Sequence, residues 1–130
     1  MDTFLEQETI ISIELSEMTR GTQKRILLTK NETRVQINDK EWKQKASVKG
    51  WQSLENLMSQ LDVKNLHKLT VPSQKHASDA AFHTSLLIKT QSHEYASPTF
   101  DNTNPPNNLL PLLKAIKKNL PINVQKEFVY

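Results

Sequence analysis

Phe100-Asp101-Asn102-Thr103-Asn104-Pro105-Pro106 runs directly into Asn107-Asn108-Leu109-Leu110-Pro111-Leu112-Leu113-Lys114-Ala115-Ile116-Lys117-Lys118. It reads as the end of a strand, a tight polar turn and an amphipathic helix. Leu109, Leu112 or Leu113, Ile116 and Leu120 fall on one helical stripe. Asn104-Pro105 offers an N-cap and a first helical position. A start there would leave Pro111 inside the helix, where it removes a backbone hydrogen bond. The reading preferred here starts the helix near Asn107–Asn108, with Pro105-Pro106 as a rigid lead-in and Pro121 as its end. Lys114, Lys117 and Lys118 then occupy the last turns, where the helix dipole favours cations.

Working towards the N-terminus, the period changes from helical to alternating. Glu94–Phe100 and Phe82–Thr90 read as two strands, Leu86 and Ile88 alternating in the second and Gln91-Ser92-His93 turning between them. Before them Asp62–Ser73 reads as a packed connector ending at Pro72. Trp51, Leu54, Leu57, Met58 and Leu61 keep helical spacing, with Ser47 placed to cap the helix. Three strands precede that helix, marked by Ile11, Ile13 and Leu15, by Ile26 and Leu28, and by Val35 and Ile37. Gly21 supplies a positive φ between the first two. A turn at Asn38-Asp39-Lys40 leaves room for a fourth strand through Trp42 and Gln44. The order is β-β-β-(β)-α-β-β-α. Short sequential connections favour antiparallel pairing, so the expected fold class is α+β: an antiparallel sheet of about five to six strands with two helices on one face. Residues 1–130 form a single domain, with 1–8 as a lead-in. The tail 121–130 carries Ile122, Val124, Phe128 and Tyr130, and its pattern leaves open whether it adds an edge strand or docks.

Composition removes several chemistries. Zero cysteines exclude disulfides, thiolate metal sites and cysteine nucleophiles. Two glycines, Gly21 and Gly50, cannot write a phosphate-cradling loop or a dinucleotide fingerprint. The acidic start Met-Asp-Thr-Phe-Leu-Glu lacks the pattern of a secretory signal, and no apolar run has the length of a membrane helix. Cytoplasmic residence without membrane contact is the expectation. The net charge of +3 comes from basic residues interleaved with acids along the chain, as in Lys40-Glu41-Trp42-Lys43. That reads as solvated surface rather than a nucleic-acid patch.

Several of these marks together, Met18-Thr19-Arg20-Gly21, Asp79-Ala80-Ala81 and Phe100-Asp101 with Asn104-Pro105-Pro106, resemble those of a family of small bacterial proteins without an assigned activity. The resemblance spans Ile10 to Leu120. The family often places His-Gly after the aspartate, where this chain has Asn102-Thr103. It implies the α+β fold and supplies no reaction.

No cofactor and no metal are expected. His76, Asp79 and His83 match no zinc spacing and lack a third strong ligand. No serine has a nucleophile-elbow context. Asp101 is expected to accept local amide protons in an Asx-type turn before Asn104, and Arg20 to pair with Asp79 or Asp101. Trp51 belongs to the core by phase, whereas Trp42 among charges is a candidate exposed aromatic. Two functions follow. The first is a small non-catalytic binding module that presents a sheet face, edge or tail to another protein. The second is a small-ligand binder or enzyme using Arg20, Asp79, Tyr95, Asp101 and Asn104 at one end of the sheet. The thin catalytic inventory and the apolar tail favour the first.

Overall fold

A computed structural model describes residues 9–78 and 80–130. Seven strands, β1 (Ile10–Thr19), β2 (Thr22–Leu28), β3 (Glu32–Ile37), β4 (Lys40–Lys45), β5 (His83–Thr90), β6 (Glu94–Ala96) and β7 (Phe100–Asp101), form one antiparallel sheet. Its order is β4-β3-β2-β1-β5-β6, and β7 continues the β6 edge farther along β5. The helices are α1 (Val48–Ser59) and α2 (Leu110–Lys118), joined to the rest by 3₁₀ turns.

The alternating pattern explains the sheet. Trp42, Val35, Ile26, Leu15 and Leu86 stand opposite one another across five strands, a continuous row on the inner face. Four of the five are buried, and Trp42 is half-buried and packed on the core. Trp42 is therefore an inward-facing side chain, not the exposed aromatic its charged neighbours suggested. Register sets this, since Trp42 opposes the fully buried Val35. The hairpin loop between β1 and β2 is Arg20-Gly21, and Gly21 adopts φ +94 as anticipated.

Both helices cover the inner face. Ser47 caps α1, its hydroxyl accepting from the Gly50 amide at 3.0 Å, and Trp51, Leu54 and Met58 are buried. A 3₁₀ turn at Asn107–Leu109 leads into α2, so Pro111 lies in the first turn where its missing N–H is harmless. Leu112 and Leu113 are both buried, along with Ile116.

One expectation changes and one open alternative is settled. The single strand expected over Glu94–Phe100 is broken into β6 and β7. The Ser97 side chain takes the Leu86 amide at 2.9 Å, and Pro98 follows with no amide proton to donate. Of the two alternatives open for the tail, docking is the one seen. It forms a 3₁₀ turn over Ile122–Glu127 and buries Val124 and Phe128 in the core, each worth about 1.5–3 kcal/mol relative to exposure. Beyond it, the Tyr130 hydroxyl donates to Glu17 Oε2. Glu17 is a fully buried carboxylate whose cross-strand partner Lys24 reaches within 4.0 Å.

No helix among the described residues covers the outer face. Its charges are paired across and along the strands: Arg25 with Glu14 at 3.4 Å, Lys43 with Glu41 at 3.7 Å, Arg34 with Glu32, and Lys89 with Glu14 and Glu94 at 3.9 and 3.8 Å. No described helix is long and apolar enough to cross a membrane.

Candidate functional site

Asp101 is the most tightly held polar side chain in the described residues. β7 places it on the sheet opposite His83, and it is fully buried. Its Oδ2 accepts from the Ser73 hydroxyl and from the Lys75 amide at 2.9 Å. Its Oδ1 accepts from the His76 amide at 2.7 Å and from His76 Nδ1 at 2.6 Å. Burial pushes this carboxyl up, but the Ser73 hydroxyl, the His76 and Lys75 amides and the His76 ring together outweigh it. The carboxyl is thereby held well below the ordinary aspartate range.

This geometry corrects the local turn expected of Asp101. The amides it binds belong to the 3₁₀ turn Lys75–Ser78, some twenty-five residues away in sequence. The nearby Asn104 amide instead donates to the Asp101 backbone carbonyl at 3.0 Å. Asp101 caps a distant turn, and Asn104 helps by donating its side-chain amide to Ser73 at 3.2 Å. Asn102, next in line, accepts the Phe82 amide at 3.1 Å. The Asn102-Thr103 pair thus has a structural task of its own.

The other expected site residues do not join this cluster. Arg20 is exposed in the β1–β2 loop and makes no ion pair among the described residues; the Asp101 oxygens it was expected to reach are taken by four other donors. Tyr95 opposes Ile88, five residues along β5 from His83, roughly 16 Å at the strand rise. It stacks on His93 with ring centroids 5.8 Å apart. Asp79 lies outside the described residues. His76 and His83 do meet, edge to face at 5.0 Å.

A buried aspartate oriented on an imidazole is the arrangement a general base requires. Here the hydroxyl that could act with it, that of Ser73, is turned to the carboxylate and not to the ring. The cluster's evident work is to fasten residues 73–78 to the sheet end.

A second locus escaped sequence reasoning. Where β4, α1 and α2 meet there is an open groove of about 340 Å³, lined by Gln44, Lys45, Ser47, Gly50, Ser53, Ala115, Lys118 and Asn119. Gly50 makes it possible. A Cβ built there would lie 2.0 Å from Asn119 Oδ1. Asn119 is itself fixed, donating to the Ala115 carbonyl at 2.8 Å while its own carbonyl accepts from Gln44 at 3.1 Å. A glycine inside a helical pattern was the one available signal.

Comparison with protein-family models, with curated proteins and with solved structures finds no match.

Proposed function

We propose that this chain is a small non-catalytic binding module that docks an acidic protein partner against its helix layer. One observation carries the reading: the segments that build the helix layer hold an excess of unpaired positive charge. Segments 48–73 and 105–130 hold seven lysines against Glu55, Asp62 and Glu127, which exceeds the whole formal charge of +3. Lys49, Lys64, Lys68, Lys114, Lys118 and Lys126 are exposed and make no ion pair among the described residues. On the outer sheet face the pattern differs: Arg25, Arg34, Lys43 and Lys89 each stand beside a carboxylate.

A protein fits this side better than a nucleic acid. All three arginines lie in the β1–β2–β3 part of the sheet, and both tryptophans pack inward, so the layer offers neither guanidinium forks nor a stacking platform. It does offer exposed apolar side chains, Val48 at 73 % and Ile122 at 83 %. These sit two and three residues from the Gly50–Asn119 crossing, and an apolar contact ringed by charge is the pattern of a protein interface.

The test uses a fluorescent glutamate-rich peptide and a DNA duplex of equal charge. The peptide should bind wild type at low salt. Binding should be lost on Lys114→Glu/Lys118→Glu and kept on Lys43→Glu, which reverses a charge on the opposite face. Equal losses in both variants, or no binding, would overturn the reading. Tighter binding of the duplex would replace it with a nucleic-acid one.

A further inference from the structure

We infer that the groove between β4, α1 and α2 receives a phosphoryl group carried on a serine or threonine side chain of the acidic partner. The inference rests on the reading above and gives that partner a more specific chemistry.

The groove's amide side chains are already engaged, Gln44 with the Asn119 carbonyl and Asn119 with the Ala115 carbonyl. What remains is donor-rich. The Lys118 ammonium makes no ion pair among the described residues. The Ser47 oxygen accepts from Gly50 and leaves its proton to donate outward. Ser53 adds a second hydroxyl. No carboxylate lines the groove. Lys118, Ser47 and Ser53 thus bring one cation and two hydroxyls to one small volume with no carboxylate in its lining, and such a site selects an anion.

The donor types then choose between anions. A planar carboxylate is best met by the two-pronged guanidinium of arginine, and none is present. An ammonium point charge and two rotatable hydroxyls instead suit a tetrahedral oxyanion with three acceptor oxygens. A volume of about 340 Å³ exceeds what an inorganic anion fills, leaving room for the carrier side chain. Lys114, one turn before Lys118 on α2, extends the positive charge beyond the groove towards the acidic residues that would flank the modified one.

The experiment compares a glutamate-rich peptide containing one serine with the same peptide phosphorylated there, by fluorescence anisotropy and by amide chemical shifts. The phosphopeptide is expected to bind wild type roughly ten-fold tighter, the scale of one or two charge-assisted hydrogen bonds. Shifts should centre on Lys45, Ser47, Ser53 and Lys118. Ser53→Ala removes a hydroxyl from an exposed helix position and changes no charge. It should abolish most of the ten-fold gain, whereas Lys43→Glu on the outer sheet face should leave both peptides' affinities within two-fold. Inorganic phosphate alone should perturb the same amides at millimolar concentration. Equal affinity for the two peptides, or a gain that survives in Ser53→Ala, overturns the phosphoryl site and leaves the binding module standing. Failure of both peptides to bind overturns both. A free phosphorylated small molecule binding more tightly than the phosphopeptide also overturns the inference, since it assigns the groove to a metabolite.

Discussion

Asp101 and Glu17 are both buried carboxylates on the sheet, and their surroundings push them in opposite directions. Asp101 has four donors on two oxygens, so its ionised form is the comfortable one. Asp101→Asn would point an amide donor at groups that are themselves donors. It should lower stability by about 3 kcal/mol, read from urea unfolding midpoints, because a buried, previously satisfied network is left unpaired. Burial raises the Glu17 carboxyl, while the Tyr130 hydroxyl and Lys24 oppose the rise without cancelling it; Oε1 has no hydrogen-bond partner. The two therefore respond to pH with opposite signs. The folded-state value of Asp101 is depressed, so its contribution is present above the ordinary 3.8 and is lost as pH falls. That of Glu17 is raised, so its contribution is present below the ordinary 4.5 and is lost as pH rises through the folded value. Glu17→Gln keeps an acceptor for Tyr130 and cannot ionise. Its midpoint relative to wild type should improve between pH 4.5 and 7.5. A constant difference across that range would show that Glu17 does not titrate differently in the folded chain. Neither environment was visible in one dimension: Glu17 alternates like its neighbours, and the donors to Asp101 come from another loop.

At the level of elements, the crossing of α1 and α2 depends on a missing side chain. Gly50→Ala gains helix propensity of about 1 kcal/mol. It also drives a methyl group into Asn119, and overpacking of that kind costs about 1–3 kcal/mol. The Asn119 side chain must swing away and lose its bond to Ala115. A net loss of about 1 kcal/mol is expected by calorimetry. Gly50→Ala/Asn119→Ala should recover it, because the double variant keeps the helix gain and removes the clash; a strictly additive pair would argue against the contact. The elements themselves were largely legible. Period-two runs marked β1, β2, β3 and β5, the Ser47 cap marked the start of α1, and Pro111 forced the later start of α2. These signals are local, as are the physical forces behind them. The break at Pro98 and the docking of the tail were less legible. Each depends on what faces the segment: the Ser97 hydroxyl on the Leu86 amide in one case, the opening above Glu17 and Lys24 in the other. The groove was illegible for the same reason, since its lining comes from Gln44, Ser53 and Lys118, which share no local pattern.

For the molecule as a whole, the disposition of charge decides where another chain can approach. Along the sequence, lysines, arginines and acids alternate without a run. Folding sorts them, because antiparallel pairing brings Arg25 beside Glu14 and Lys89 between Glu14 and Glu94, whereas the helix-layer lysines face solvent. The sheet edges are closed to a partner by a different device. β4 is an edge strand reading Lys40-Glu41-Trp42-Lys43-Gln44-Lys45, and three lysines on so short a strand set like charges side by side whenever two copies align. The opposite edge is divided between the short β6 and β7, with a 3₁₀ turn over Val63–Lys68 packed on β6. Strand addition is thus disfavoured at both edges, and this is why the binding face is assigned to the helices. Wild type should sediment as a monomer at millimolar concentration. Lys40→Thr/Lys43→Thr/Lys45→Val leaves Trp42 and its packing in place, removes the repulsion and raises strand propensity. It should produce a concentration-dependent dimer through β4. The same triple variant in high salt tests the cause: if charge is what keeps the edge single, added salt should promote pairing in wild type and change little in the variant.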